Sequence, residues 1–256
     1  HDNRDFFIMT VDEFIDLALK EDLQDPKMVI PYGDHTSRAT VKSGTTQKAR
    51  ALIKQNGVLA GIALAKQIFQ KIDPNLNFQE SGFQDGDKVN DGDEVFYLEG
   101  SSKSMLTGER LALNFMQRMS GIATLSREYV NAVDGTGVKI LDTRKTTPNL
   151  RYFEKWAVKI GGAENHRFGL YDMIMIKDNH VDFAGGIEKA IDAANNYLEA
   201  QNFTVPIEIE TRSFEDVQRV INHGGVQRIM LDNFTVNQAF DAIDFIAKRV
   251  ETEISG

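Results

Sequence analysis

The sequence predicts an α/β protein in which a small N-terminal α/β unit precedes a β/α barrel, and three observations carry that prediction. Beyond Gly137, short apolar runs alternate with segments of helical periodicity, the pattern of parallel strands joined by crossover helices. Charged residues follow four successive runs at once: Arg144-Lys145, Lys177, Glu210 and Asp232. An open doubly wound sheet collects its ligand near one switch point, whereas every strand of a barrel delivers its carboxyl end to the same mouth. Charges after four strands therefore favour the barrel. The third observation is electrostatic. Between Lys139 and Lys177 eight lysines and arginines are set against four acids, a local balance of +4 inside a chain of 256 residues whose formal charge is -9.

The elements follow from periodicity and turn residues. Thr10-Val11-Asp12-Glu13 fits a capping box, and Val11, Phe14, Leu17 and Ala18 recur at helical spacing as far as Asp22. Pro26 to Thr40 reads as a loop, turned by Pro31-Tyr32-Gly33-Asp34. Alternation around Ala49, Ala51 and Ile53 predicts a strand, and Val58 to Ala60 a second. Ile62 to Ile72 is helical and stops before Asp73-Pro74. Asp85-Gly86-Asp87-Lys88-Val89 and Asp91-Gly92-Asp93-Glu94-Val95 open two turn-plus-strand units. The doubled pattern is like that of lipoyl and biotinyl carrier hairpins, but no lysine sits at a tip between matching strands, so it reads as structural. Thr107 to Val133 is the longest helical stretch, striped by Leu111, Phe115, Met119, Ile122 and Val130. Gly121 interrupts it at a cost of about 1 kcal/mol relative to Ala, which predicts close packing or a bend. Strands are expected at Val138 to Leu141, Met173 to Ile176, Ile207 to Ile209, Arg228 to Leu231 and Thr252 to Ile254. Helices are expected over Asn149 to Lys159, Gly186 to Leu198, Phe214 to Asn222 and Val236 to Val250.

The length allows one large domain or two modest ones. Charged and apolar fractions of 26% and 41% are those of an ordinary soluble globular protein. No apolar run approaches the roughly 20 residues that span a bilayer, and HDNRDFFIMT at the N-terminus lacks the apolar core of a secretory signal. The expectation is a soluble, cytoplasmic protein with no membrane partner. The absence of cysteine excludes disulfides, thiolate nucleophiles and cysteine-based metal sites. An acidic chain with no basic stripe argues against a nucleic-acid partner.

A cationic segment within an acidic protein points to an anionic ligand. Arg151, Lys155 and Lys159, spaced four apart, read instead as solvated helix residues. Arg144, Lys145 and Lys177 differ because they directly follow buried runs, and Gly161-Gly162 frees the loop that brings Asn165-His166-Arg167. A pocket holding Arg144, Lys145, His166, Arg167 and Lys177 repels itself when empty. Desolvating one unpaired cation costs several kcal/mol, and hydrogen bonds to charged groups return about 1.5–3 kcal/mol each, so a multiply charged anion is the natural occupant. Glu208 and Glu210 alternate with Ile207 and Ile209 and point the same way, with Glu210 nearer the strand end. Asp232 holds the analogous place after Leu231, where a helix N-cap is the competing reading. Arg110 falls in the first turn of the predicted helix, a place the dipole disfavours for a cation, and on its own reads as solvated.

DTRKTTP from Asp142, GG-x-x-NHR-x-GL-x-D from Gly161 and IKDNH from Ile176 resemble, in order, the signature segments of the quinolinate phosphoribosyltransferases, decarboxylating enzymes of NAD biosynthesis. The resemblance implies an N-terminal α/β sandwich domain at residues 1–108 and a β/α barrel domain at 109–256. It implies transfer of phosphoribosyl from phosphoribosyl pyrophosphate to quinolinate with loss of CO₂, giving nicotinate mononucleotide and pyrophosphate. GERLALNFMQRMSGIAT matches a segment whose arginine, here Arg110, reaches substrate across a dimer interface, which implies a homodimer or larger homo-oligomer. Arg144, Lys145, Thr146, His166, Arg167 and Lys177 match substrate-contacting positions. Glu210, the second glutamate of an E-x-E strand, and Asp232 match acids that face the ribose hydroxyls and Mg²⁺. Lys145, Lys177, Glu210 and Asp232 form the implied catalytic set. The family continues past this chain's last residues through a Ser-Gly-Gly phosphate-binding turn. Ser255 and Gly256 match its start, so the expected barrel is incomplete and lacks its C-terminal part. Two other readings stand beside this one: a Schiff-base aldolase or decarboxylase using Lys177, and a non-catalytic anion-binding paralogue.

Overall fold

The computed structural model describes residues 9–256, so most of the HDNRDFFIMT segment lies outside the described residues. The chain divides after His166 into two compact units.

The first unit opens with α1 (Val11–Leu23), which starts at the predicted capping box: Thr10 Oγ1 accepts from the Glu13 N–H at 3.2 Å and Glu13 Oε2 from the Thr10 N–H at 2.7 Å. The segment expected to be all loop contains α2 (His35–Thr40), because Asp34, read as a turn residue, caps it by accepting from Ser37 N at 3.0 Å. Next come β1 (Thr46–Leu52), β2 (Gly57–Val58), α3 (Ile62–Ile72), β3 (Asn77–Glu80), β4 (Lys88–Val89) and β5 (Glu94–Ser101). β5 lies between β1 and β3 in an antiparallel sheet, and β2 pairs with β4 apart from it. The two turn-plus-strand units therefore pair elsewhere and not with each other. β1 is exposed on both faces over most of its length, so its alternation marks an edge strand and not a half-buried one. β3 escaped the sequence pattern since Phe78 is its one inward residue; that ring stacks on Phe96 at 4.5 Å between centroids.

The long helix α4 (Ser102–Ala132) begins five residues before its predicted start, capped by Ser101. Arg110 consequently sits in the third turn, beyond the reach of the N-terminal dipole. Gly121 is not there for close packing: a Cβ added to it would meet no atom within 4 Å, and it opens on a cavity of about 520 Å³. α5 (Arg151–Ile160) packs on α4 through Phe153 against Phe115 at 4.9 Å. The run Val138 to Leu141 does not become a strand. It makes a single parallel bridge, Leu141 to Glu164, with Glu164 N donating to Ile140 O at 2.8 Å and Asp142 N to Glu164 O at 3.1 Å. The partner segment is itself a loop, too short for a ladder, and Val138 is left 60% exposed.

The second unit runs β6 (Ile174–Ile176), α6 (Asp178–Ala184), α7 (Ile187–Gln201), β7 (Ile207–Thr211), α8 (Phe214–His223), β8 (Arg228–Asp232), α9 (Val236–Ile246) and β9 (Glu251–Ser255). Its strands form a parallel sheet in chain order, β6-β7-β8-β9, as in the wall of a β/α barrel. α6 was not expected; none of its residues is fully buried, and it sets only Val181 and Ala184 against the core. α9 ends four residues early because Ala247 and Lys248 adopt positive φ. Ile207, Ile209, Ile229 and Leu231 bury one sheet face against Ile191, Val217, Val220 and Ala242. Side chains alternate along a strand, so Glu208, Glu210, Arg228 and Asp232 take the opposite face.

Two outcomes are expected. Ile209, fully buried at the centre of this sheet, should cost about 2–5 kcal/mol when cut to Ala, read from denaturant unfolding. Arg219 grips both oxygens of Glu188 at 2.9 and 2.6 Å and holds its carboxyl down from the ordinary 4.5 to about 2. A depressed carboxyl contributes stability that is present above the ordinary range and lost as pH falls through about 2. In Arg219→Met the loss of stability between pH 4.5 and 2 should be smaller than in the parent, and the parent's excess should shrink in high salt.

Candidate active site

Within the first unit the candidate residues sit on two loops. The loop after Leu141 is held by its own backbone and by its neighbours. Lys145 N donates to Thr143 Oγ1 at 3.0 Å, Thr146 N to Arg144 O at 2.9 Å, and Arg151 Nε to Thr146 Oγ1 at 3.0 Å. Thr147 is tied on both sides, its N–H to Glu154 Oε2 at 3.2 Å and its hydroxyl to Arg118. Arg118 in turn reaches Glu154 Oε1 with Nε at 2.8 Å. Thus a loop of polar residues is fixed without using the charged ends of Arg144 or Lys145. Lys145 is exposed. The Arg144 Nε is shielded from solvent and has no hydrogen-bond partner among the described residues. An unsatisfied, buried guanidinium nitrogen is costly unless a ligand completes it.

The second loop brings His166. Lys155, expected to be a solvated helix residue, is fully buried. Its ammonium pairs with Asp142 and donates to the His166 carbonyl at 3.0 Å, while Asp142 Oδ1 accepts the His166 N–H at 2.9 Å. Four-residue spacing misled here because α5 buries Tyr152, Phe153, Glu154, Lys155 and Ala157, most of its circumference. Burial pushes the Asp142 carboxyl up, and Lys155 and the His166 N–H pull it back. The glycines before His166 have separate reasons. A Cβ on Gly161 would lie 2.5 Å from Ala123 O, and Gly162 adopts a φ of +95°. Arg110, on exposed α4 surface, makes no hydrogen bond or ion pair among the described residues.

Within the second unit Lys177, Glu210, Asp232 and Ser255 lie at the carboxyl ends of the strands, whereas Arg167 lies in the loop that precedes β6. Arg167 donates to the Met173 carbonyl at 3.3 Å, and Asp172 closes their loop by accepting from Phe168 N at 2.6 Å and Gly169 N at 2.9 Å. Lys177, next after β6, pairs with Glu210 at 3.4 Å, and its N–H donates to His180 Nδ1 at 2.9 Å. Asp232 is not the N-cap of α9; Thr235 fills that role with Gln238. Asp232 Oδ1 instead accepts from Ser255 Oγ at 3.2 Å, and Oδ2 from Asn233 Nδ2 at 3.0 Å. Gly256 lies against the Asn233 backbone so closely that a Cβ would meet it at 2.9 Å, and Asn233 N donates to Ser255 O at 2.8 Å. The sheet thus brings together Lys177 with Glu210, and Asp232 with Ser255 and Gly256. Glu208, the first glutamate of the strand, lies fully buried and faces Arg228 at 3.6 Å, leaving Glu210 as the acid nearer the strand end.

The residues missed by sequence reasoning are Arg118, Glu154, Lys155 and Asp142, which hold the loops. Their signal was weak: the charged side chains of Arg118, Glu154 and Lys155 on helices look solvated until packing shows otherwise, and Asp142 lies on a loop.

Residues 34–120 match the model for the quinolinate phosphoribosyl transferase N-terminal domain, and residues 122–256 that for the C-terminal domain. Among curated proteins, the chain is 43% identical to quinolinate phosphoribosyltransferase [decarboxylating] 1b of Nicotiana tabacum, over 94% of this chain and 71% of that protein. It is 42% identical to the chloroplastic nicotinate-nucleotide pyrophosphorylase [carboxylating] of Arabidopsis thaliana, again over 94% and 71%. Among solved structures, NadC from Streptococcus pyogenes superposes with a TM-score of 0.88 at 40% identity, covering 96% of this chain and 83% of that one. Both domain models, matched in order along this fold, identify the chain as a member of the quinolinate phosphoribosyl transferase family.

Proposed function

We propose that this chain transfers the phosphoribosyl group of phosphoribosyl pyrophosphate to quinolinate with loss of CO₂, giving nicotinate mononucleotide and pyrophosphate for NAD biosynthesis. The observation that carries the reading is the cationic loop of Arg144 and Lys145, fixed by hydrogen bonds that leave the Arg144 Nε unsatisfied. A rigid site with an unmet cationic donor is complementary to a multiply charged anion.

The residues divide the work by charge. Arg144, His166, Arg167, Lys177 and Arg110 hold the adjacent carboxylates and turn the ring nitrogen toward the sugar; Lys145 and Thr146 support the same anions, and Ser255 and Gly256 meet phosphate. The ring nitrogen attacks the anomeric carbon as the bond to pyrophosphate breaks. The negative charges of Glu210 and Asp232 favour the positive sugar carbon of that transition state. The carbon–carbon bond to the carboxylate beside the ring nitrogen then breaks, the pyridinium takes up the electron pair, and a proton from solvent replaces CO₂. Glu210 and Asp232 are hard oxygen donors of the kind Mg²⁺ takes alongside substrate phosphates. They would hold that ion, which when bound supplies positive charge to the leaving pyrophosphate. The Schiff-base reading is weaker, since Lys177 is ion-paired and half exposed and lacks the apolar enclosure a nucleophilic lysine uses.

The assembly belongs to the same proposal. Arg110 is exposed with no ion pair among the described residues, so it is available to a neighbouring subunit's substrate in a homodimer or larger homo-oligomer.

A turnover assay with phosphoribosyl pyrophosphate and Mg²⁺ should give mononucleotide from quinolinate and none from nicotinate; product from nicotinate alone would overturn the reading. Glu210→Gln should lower kcat by about 10²–10³-fold with the quinolinate KM little changed, as for loss of one transition-state electrostatic contact. Near-normal turnover would remove Glu210 from that role. Arg110→Ala should raise the quinolinate KM while sedimentation still shows the oligomer.

A further inference from the structure

Lys155 is the most deeply buried cation among the described residues of the first unit, and the reaction above has no direct use for it. Burying a lysine costs several kcal/mol unless it is paired and hydrogen-bonded. Its partners are Asp142 and the carbonyl of His166, and Asp142 Oδ1 also takes the His166 N–H. Both backbone groups of His166 are therefore gripped by one buried ion pair. Asp142 lies at the root of the loop that carries Arg144 and Lys145, and its own N–H donates to Glu164 O at 3.1 Å. One carboxylate thus joins the two cation-bearing loops, and one ammonium from α5 closes the joint. Neither Lys155 nor Asp142 is open to solvent: their side chains are 0% and 8% exposed.

We propose that Lys155 is a positioning residue for the dicarboxylate: with Asp142 it forms a buried clamp that fixes the backbone of His166 relative to the Arg144-Lys145 loop. The inference rests on the proposed function. It makes a demand that general support of the fold does not. Loss of the clamp loosens the spacing between dicarboxylate contacts, while the acids of the second unit that face ribose keep their own partners, Lys177 and Ser255. Quinolinate binding should weaken and phosphoribosyl pyrophosphate binding should not.

The test is steady-state kinetics on the full chain and on Lys155→Met, which keeps the length of the side chain and removes its charge. Asp142→Asn/Lys155→Met is the second variant. It buries no unpaired charge and keeps an oxygen acceptor for the His166 N–H, so it stays measurable if the single variant fails to fold. Displacements on the order of 1 Å cost up to about 100-fold, so the expected result is a quinolinate KM raised about tenfold or more in each soluble variant. The KM for phosphoribosyl pyrophosphate should stay within about threefold of the parent, and partial rescue should appear at high quinolinate. A fall in kcat with both KM values unchanged is what a smaller folded fraction produces, and it would overturn the clamp. So would a quinolinate KM within twofold of the parent. The parent assayed alongside separates the two levels: a parent silent toward quinolinate overturns the proposed function and the clamp with it, whereas an active parent with normal variants overturns the clamp alone.

Discussion

The side-chain alternation of a parallel strand is the constraint on which the second unit depends. Ile207, Ile209, Ile229 and Leu231 must go to the helix-covered face, since that is where their burial stabilises the fold. Everything between them is committed to the other face, and there the chain has placed Glu208, Glu210, Arg228 and Asp232. Charge on that face is tolerated because it is paired. Arg228 reaches Glu251 at 2.7 Å and Glu253 at 3.3 Å on the next strand. Toward the carboxyl ends, Lys177 meets Glu210 and Ser255 meets Asp232. The same register that builds the core therefore delivers the acids proposed to face the ribose.

The first unit solves a different problem, that of keeping cations apart from the hydrogen bonds that fix them. The loop of Thr143 to Thr147 is held by backbone groups, threonine hydroxyls, Arg118, Arg151 and Glu154, and not by the side chains of Arg144 or Lys145. A site organised this way is rigid before its ligand arrives, and a ligand then need not supply the cost of ordering it.

Much of this was legible in the sequence, and what was not had physical reasons. The alternation of short apolar runs with helical segments after Gly137 announced strands at Ile174, Ile207, Arg228 and Glu251, because such alternation has few solutions besides parallel strands joined by crossover helices. Glu210 and Asp232 were legible as strand-end acids for the same cause. Val138 to Leu141 looked identical but failed to extend, since a strand needs a partner and the partner here is a loop. Of the two reasons offered for Gly121, close packing failed, because a helical glycine has several reasons to exist and the sequence does not distinguish them. Lys155 shows the deeper limit. Spacing along one helix says nothing about how many sides of it are covered, so a buried, structural lysine and a solvated one carry the same signature.

In the proposed reaction, glycosyl transfer and decarboxylation occur on one bound dicarboxylate. With quinolinate labelled at the carboxylate beside the ring nitrogen, labelled CO₂ and pyrophosphate can be measured in the same reaction. Equal amounts of the two are expected, with no CO₂ when phosphoribosyl pyrophosphate is withheld. Pyrophosphate released without labelled CO₂, or CO₂ released without the sugar donor, would contradict the proposed reaction.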